Sequence, residues 1–267
     1  MTEGSIISLV LGFALMLMAQ AAIAQSVAIA ALPTFSAQYA LGKIDEMRMS
    51  LASTLRSMFL LVLPASVGLI LLAQPIVAML YQRGKFTEIT TQMTAWALTW
   101  YAAGLIGHSI MEVLTRAFYA QQDTKTPVLI GTIAMGLNVI FSFLFAWVFN
   151  QIGWMPLGGL ALANSLATAI EAATLFIVMR RRLNGIEGTY LARGFAACAL
   201  AALGMGIGLW FWIQSTESLS HWVVALGGVA IGGIIYGIGV LVLRVPEIQT
   251  LIHAITRRVA HRASPSS

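Results

Sequence analysis

The sequence predicts an all-α, polytopic membrane protein with seven transmembrane helices. Three observations carry that prediction. Of 267 residues, 59% are hydrophobic and only 9% are charged; mean hydropathy is +0.86; and apolar stretches of about 20 residues recur between short charged connections. A soluble domain carries about a quarter charged residues, so an ordinary water-soluble globule is excluded. Helix is preferred to strand because the apolar runs are continuous rather than alternating, and lipid leaves no partner for an open backbone.

The spans follow from the charged residues that bound them. The first occupies residues 5–32, since nothing between Glu3 and Lys43 is charged. The second covers 57–81, the third 93–115, the fourth 127–149 and the fifth 157–179, which stops against Arg180, Arg181 and Arg182. The sixth lies between Arg193 and Glu217, and the seventh covers 222–243. At a rise of 1.5 Å per residue, each reaches about 30 Å, the hydrocarbon thickness. A signal peptide over residues 1–24, suggested by Ala22-Ile23-Ala24, is the rival for the first span; the missing Lys or Arg before it and the apolar continuation through Ile29 speak against cleavage.

Lys and Arg then fix orientation. With seven spans, thirteen of the fifteen fall on one side, and only Arg83 and Lys85 on the other. The positive-inside rule puts the C-terminus in the cytoplasm and the N-terminus outside. The net charge of +5 is therefore read as a topology signal, and no nucleic-acid partner is expected. The first span has no cationic flank on its N-terminal side, which is what a chain lacking upstream helices would look like. Residues 36–56 are expected as an amphipathic helix on the cytoplasmic surface. After Pro246, Ile248, Leu251, Ile252, Ile255 and Val259 share a helical face, which suits a basic helix on anionic headgroups or, equally, a frayed tail.

Helix breakers and small residues suggest how the helices meet. Pro64 removes a donor well inside the second span and predicts a kink, with Pro33 and Pro75 nearer the ends. Kinked helices line transporter cavities, though proline is also simply tolerated in membranes. Gly204 with Gly208, and Gly228 with Gly232, sit at the spacing of tight helix packing.

Ionisable residues inside spans cost about 2.5–3.5 kcal/mol at mid-helix and are the leading candidates for function. His108, Glu112 and Arg116 are four apart and stack on one helical face, in the order that favours a Glu–Arg pair. They form either a polar stripe facing a hydrated cavity or a self-neutralised pair that ends the helix. Glu171 has no partner within four residues and needs one from another helix. Gln20, Gln25, Asn138 and Asn164 read as interhelical glue before substrate ligands. No enzyme signature is present: His108-x3-Glu112 is not a zinc motif, no phosphate-cradling loop occurs, and Cys198 stands alone. Neither a metal nor a cofactor is expected.

Three segments carry a family resemblance. Residues 63–87, LPASVGLILLAQPIVAMLYQRGKFT, residues 112–127, EVLTRAFYAQQDTKTP, and residues 158–172, GGLALANSLATAIEA, are similar to the MurJ/MviN lipid II flippases. AALPTFS (30–36) adds to the likeness. The motif residues are Arg83, Gly84, Phe86, Arg116, Phe118, Tyr119, Ala120, Asp123, Thr126 and Pro127, of which the run from 116 to 127 is most specific. The resemblance covers about residues 10–185.

It implies a two-lobed fold like that of the multidrug and polysaccharide exporters, with this chain similar to helices eight to fourteen and the N-terminal lobe absent. Residues 1–185 would be part of the C-terminal lobe, 186–245 two additional helices and 246–267 a cytoplasmic basic tail. The implied activity is transport of lipid II, the undecaprenyl-pyrophosphate-linked peptidoglycan precursor, from the inner to the outer leaflet of the bacterial plasma membrane. The implied partners are lipid II, membrane lipids, the missing lobe and a possible counter-ion. The chain departs from many members in having no cation in its first helix, near Ala14. An exporter of another polyprenyl-linked sugar or of drug-like cations, a non-transporting scaffold of wall synthesis, and a membrane enzyme remain the alternatives.

Overall fold

The computed structural model describes residues 3–216 and 219–243, and every regular element in them is helical. Helices α1 (Glu3–Gln20) and α2 (Ser26–Ala40) are joined end to end by a π-helical turn at Ala21–Gln25. Helices α3 (Ile44–Leu71) and α4 (Ala73–Tyr81) follow, then α5 (Glu88–Ala120), α6 (Lys125–Gln151), α7 (Pro156–Arg182), α8 (Gly188–Ser215) and α9 (His221–Val242). The tail after Pro246 lies outside the described residues.

Six segments are long and apolar enough to cross a membrane: the joined α1–α2, α3, α6, α7, α8 and α9. The chain is thus a multi-pass membrane protein. Residues 93–115, expected as the third span, fold as the middle of the 33-residue α5, which is not among the six. The reason is its place. α5 packs on α1, α2, α3, α4 and α7, so its neighbours rather than lipid receive its Thr, Ser, His and Glu side chains. A helix wrapped in this way has no need of an apolar surface all round.

Two further expectations change. Residues 36–56 do not form a separate surface helix: α2 runs to Ala40, Gly42 turns the chain at φ +69°, and α3 starts at Ile44. Met47, Leu51, Ala52 and Leu55 then bury one face of the first half of α3 in the core. The second span is divided at Leu72, a break the sequence reading did not place. Pro75 explains the site, because its ring excludes the carbonyl four residues back, Leu71, while proline is tolerated in the first turn of the new helix α4.

Pro64 lies within an uninterrupted α3. Lacking an N–H, it leaves the Leu60 carbonyl without its helical donor. The Tyr236 hydroxyl of α9 donates to that carbonyl at 2.7 Å, fully inside the protein. The proline thus makes a socket, and the tyrosine plugs it. Small residues draw other helices together. An added Cβ at Gly208 would meet Ile235, at Gly228 Leu72 and at Gly232 Leu209, whereas at Gly204 it would meet nothing, so that glycine is not a packing point.

The connections sort into two faces. The turn after α5 is tied to the end of α7 by Gln121, whose amide lies 3.2 Å from the Met179 sulfur. At the other end, the Trp96 indole near the start of α5 donates to the Met155 carbonyl before α7, and Trp212 near the end of α8 donates to Val224 on α9. Following the chain through these ties, Arg83 and Lys85 lie on one face, and the other described Lys and Arg lie at or toward the opposite one. Val128, Ile133, Val139 and Phe143 of α6 are exposed, an apolar side suited to lipid.

Candidate functional site

The polar stripe of α5 is the first candidate, and it is bound to α7 along its length. The two helices approach so closely that a Cβ on Gly104 would lie 2.3 Å from Ser165 Oγ, and one on Gly107 3.2 Å from the Ala169 backbone. Ser165 Oγ donates to the Trp100 carbonyl at 2.7 Å, and Ser66 Oγ of α3 donates to Ala102 at 2.7 Å. Such bonds are the polar glue of membrane bundles.

Within this seam His108 is buried, and its Nε2 lies 3.1 Å from Asn164 Oδ1 on α7. One turn further, Arg116 donates to Glu112 at 2.8 Å, with side chains 28% and 15% exposed. Arg116 Nε is buried and has no acceptor among the described residues. Arg116 is one turn from the end of α5, whereas His108 is about 18 Å from that end along the axis. The stripe therefore leads inward from a membrane surface.

Glu171 is not brought into the stripe. It is half-buried on α7 and faces α6, where a Cβ on Gly131 would lie 3.1 Å from its Oε1. It has no ion-pair partner among the described residues. Gly131 makes the room for it, as a larger residue there would press on the carboxylate. Asn138 stays within α6, accepting from Ser142 at 3.3 Å, and Gln20 is buried with Oε1 unpartnered beside the π-helical turn.

The motif residues have a different task from the stripe. Asp123 sits in the turn between α5 and α6 and caps α6: its Oδ1 accepts from the Lys125 and Thr126 amides at 3.0 Å each. Its Oδ2 accepts the Thr126 hydroxyl at 2.6 Å and pairs with Arg182 at 2.6 Å. Arg182 also donates to Thr126 Oγ1 and lies 5.1 Å over the buried Phe118 ring. Pro127 occupies the first turn of α6, where its missing N–H costs nothing, and Ala120 is buried at the end of α5. Tyr119 is 6.0 Å from Arg116. The run from 116 to 127 thus fastens the α5–α6 turn to the end of α7. Arg182, read from sequence as a flanking charge, supplies the α7 side of that tie.

Bonds from Thr126 and then Arg182 hold the Asp123 carboxyl down at about 2. A carboxyl depressed below its ordinary 3.8 stabilises the fold fully above pH 4 and loses that contribution as pH falls through about 2. Asp123→Ala is expected to cost about 1 kcal/mol at neutral pH, as lost caps do. In detergent-unfolding curves the gap between wild type and variant should persist down to pH 4 and close toward pH 2.

On the opposite face, Arg83 donates to the Leu80 carbonyl at 3.1 Å, Gly84 turns at φ +60°, and Phe86 packs 5.9 Å from Tyr81. One cation had no signal in the sequence. Arg56 is 6% exposed, stacks 3.9 Å over the Tyr190 ring and donates to the Tyr190 carbonyl at 3.4 Å. Gly194 admits it, since a Cβ there would lie 2.4 Å from its Nε. Close to it, an apolar groove of about 600 Å³ runs between α3, α5, α7 and α8, lined by Leu55, Phe59, Gly104, Gly107, Phe176 and Phe195 among others. Among the described residues no cluster of His, Cys, Asp and Glu could hold a metal ion.

Comparison with known proteins adds the family. The sequence model of the family described as lipid II flippase MurJ matches residues 1–227. The MurJ protein of Haemophilus influenzae is 31% identical over 202 residues, 71% of this chain and 37% of that protein. That of Vibrio cholerae is 30% identical over 220 residues, 80% of this chain and 40% of its own length. A solved structure of lipid II flippase MurJ in an inward closed conformation superposes with a TM-score of 0.75 at 24% identity, over 94% of this chain and 49% of that one. The chain therefore spans less than half the length of the relatives it matches.

Proposed function

The chain belongs to the MurJ lipid II flippase family, and on that premise we propose that it forms one side of a transporter moving lipid II from the inner to the outer leaflet of the bacterial plasma membrane. The basic face is cytoplasmic, as the positive-inside rule requires, which puts the C-terminus inside and the start of the chain outside. In this reading α5 is the seventh crossing, held at the centre while six apolar segments meet lipid.

The observation that carries the proposal is the polar stripe kept inside an apolar bundle. Arg116 is ion-paired yet keeps a buried donor without an acceptor among the described residues. An Arg fork is suited to phosphate oxygens, to which it bonds in a charge-assisted way. A pyrophosphate headgroup entering from the cytoplasmic face would meet Arg116 first, then Glu112, His108 and Asn164 deeper in. The apolar groove between α3, α5, α7 and α8 offers a polyprenyl chain a path beside them.

Alternating access takes a second lobe to rock against this one, and the relatives' additional length is where such a lobe would be encoded. Movement of charge through the membrane potential, about 2.3 kcal/mol per elementary charge per 100 mV, or of a counter-ion could drive the cycle. The test is growth rescue in cells depleted of their own flippase. The chain together with the portion of the Haemophilus influenzae relative that it does not match should restore growth, and the chain alone should not. Rescue by the chain alone would contradict the two-lobe mechanism, and failure of the pair despite membrane insertion would contradict the assignment.

A further inference from the structure

On the face opposite the basic connections, the turn after α4 and the start of α9 enclose a pocket of about 490 Å³, within the range of about 300–1,000 Å³ usual for small-ligand sites. Met79, Gln82 and Arg83 line it from one side, and Ser220, His221 and Trp222 from the other. A guanidinium, an imidazole, an amide and a hydroxyl thus converge beside an indole, and among the described residues none that lines it is a carboxylate.

The turn that presents Arg83 is specified by its residues. The left-handed conformation of Gly84, the Tyr81–Phe86 ring contact and a 2.7 Å bond from the Arg83 amide to the Tyr81 carbonyl set its course. One Nη of Arg83 is anchored on the Leu80 carbonyl. Its remaining N–H groups have no acceptor among the described residues, which leaves part of the fork for a ligand. The α5–α6 motif gives its charges to one another through Arg182 and Asp123, whereas here the cation's partner is a neutral carbonyl. Trp222 is half-exposed at the rim, the setting in which indoles sit at headgroup level.

We propose that this pocket is a phosphate-group subsite at the outer membrane surface, binding the phosphate or pyrophosphate of a lipid headgroup or of a free anion. Arg83 supplies the charge and the directed donors, and His221, Gln82 and Ser220 complete an oxyanion shell. Phosphate recognition stands on the pocket itself. Only the assignment of this face as the outer one, and of a transported lipid as the physiological ligand, rests on the flippase reading. In that reading the subsite receives the headgroup as it leaves the bundle.

The test follows the His221 ring by NMR in the histidine-labelled chain, held in dodecyl maltoside micelles, which contain no phosphate. Inorganic pyrophosphate and dihexanoyl phosphatidylglycerol are titrated separately. His221 should shift saturably, and the ligand with the lower half-saturation point identifies the source as free anion or lipid. Arg83→Gln should weaken binding about tenfold or more, as loss of a charge-assisted bond does, and Arg83→Lys should give an intermediate loss. The His108 signal, held by Asn164 inside the bundle, reports on folding in the same spectra. Should Arg83→Gln disturb it, Gln82→Ala provides the second variant and should weaken binding by a smaller factor. The proposal is overturned if His221 responds to neither ligand, or responds equally in the folded Arg83 variants. Growth rescue with an unresponsive pocket would defeat this subsite and leave the flippase reading standing.

Discussion

Gly159→Val is expected to unfold the half of the α6–α7 hairpin nearest its connecting turn. A Cβ at Gly159 would lie 2.5 Å from the Phe145 carbonyl oxygen and 2.6 Å from its carbon. Both are backbone atoms of α6, so no side-chain rotation relieves the clash and the two helices must part. Overpacking usually costs about 1–3 kcal/mol, and a backbone clash belongs at about 3 kcal/mol or above. α6 has little else to hold it, since α7 is its principal neighbour. The aromatic cluster of Trp96, Trp100, Phe149 and Trp154 at the same end spans α5, α6 and the α6–α7 turn, so it reports the separation directly. Tryptophan emission should shift to the red and the detergent-unfolding midpoint should fall. Gly136→Ala is the control, because a Cβ there meets nothing within 4 Å, and it should be neutral or slightly stabilising.

The second large effect concerns Glu112 and Arg116. Removing one member of a buried pair is worse than removing both, because the survivor keeps its desolvation cost without compensation. This pair is partly exposed, at 28% and 15%, so its coupling lies between the values for surface and buried bridges, at about 1–2 kcal/mol. Arg116→Gln should therefore be less stable than Glu112→Gln/Arg116→Gln in a double-mutant cycle read by detergent unfolding. Transport should behave differently. The double variant regains the fold but leaves no charge to meet a pyrophosphate, so growth rescue should be lost with either variant. A double variant that folds and rescues fully would make the pair a helix terminator and nothing more.

How much of this was legible in the sequence depends on whether a feature was local. Span positions follow from uninterrupted apolar runs, and α6 to α9 lie close to where hydropathy put them. The expected third span falls within the helix α5, whose apolarity falls short of the six candidate crossings because it is wrapped by other helices, a fact no single-helix pattern contains. The sequence marked Pro64 for a kink and did not place the break at Leu72. What decides between Pro64 and Pro75 is whether a distant group satisfies the freed carbonyl, and Tyr236, far along the chain, does so at Leu60. The Glu112–Arg116 pair was readable because it is a contact between residues four apart. Arg56 on Tyr190 and Arg182 on Asp123 were not, since each joins segments far apart in the chain and depends on helix docking. The family motif marked residues 116 to 127, and the structure gives most of them a fastening role, with only Arg116 directed into the stripe.

The α5 stripe is expected to hold the headgroup of a lipid-linked pyrophosphate. Native mass spectrometry of the chain released from detergent, with lipid II and phosphatidylglycerol supplied together, measures this most directly. Wild type should retain lipid II in preference to phosphatidylglycerol, and Glu112→Gln/Arg116→Gln should lose that preference while keeping its fold. Equal retention of the two lipids by the wild type, or undiminished lipid II binding by the folded double variant, would contradict it.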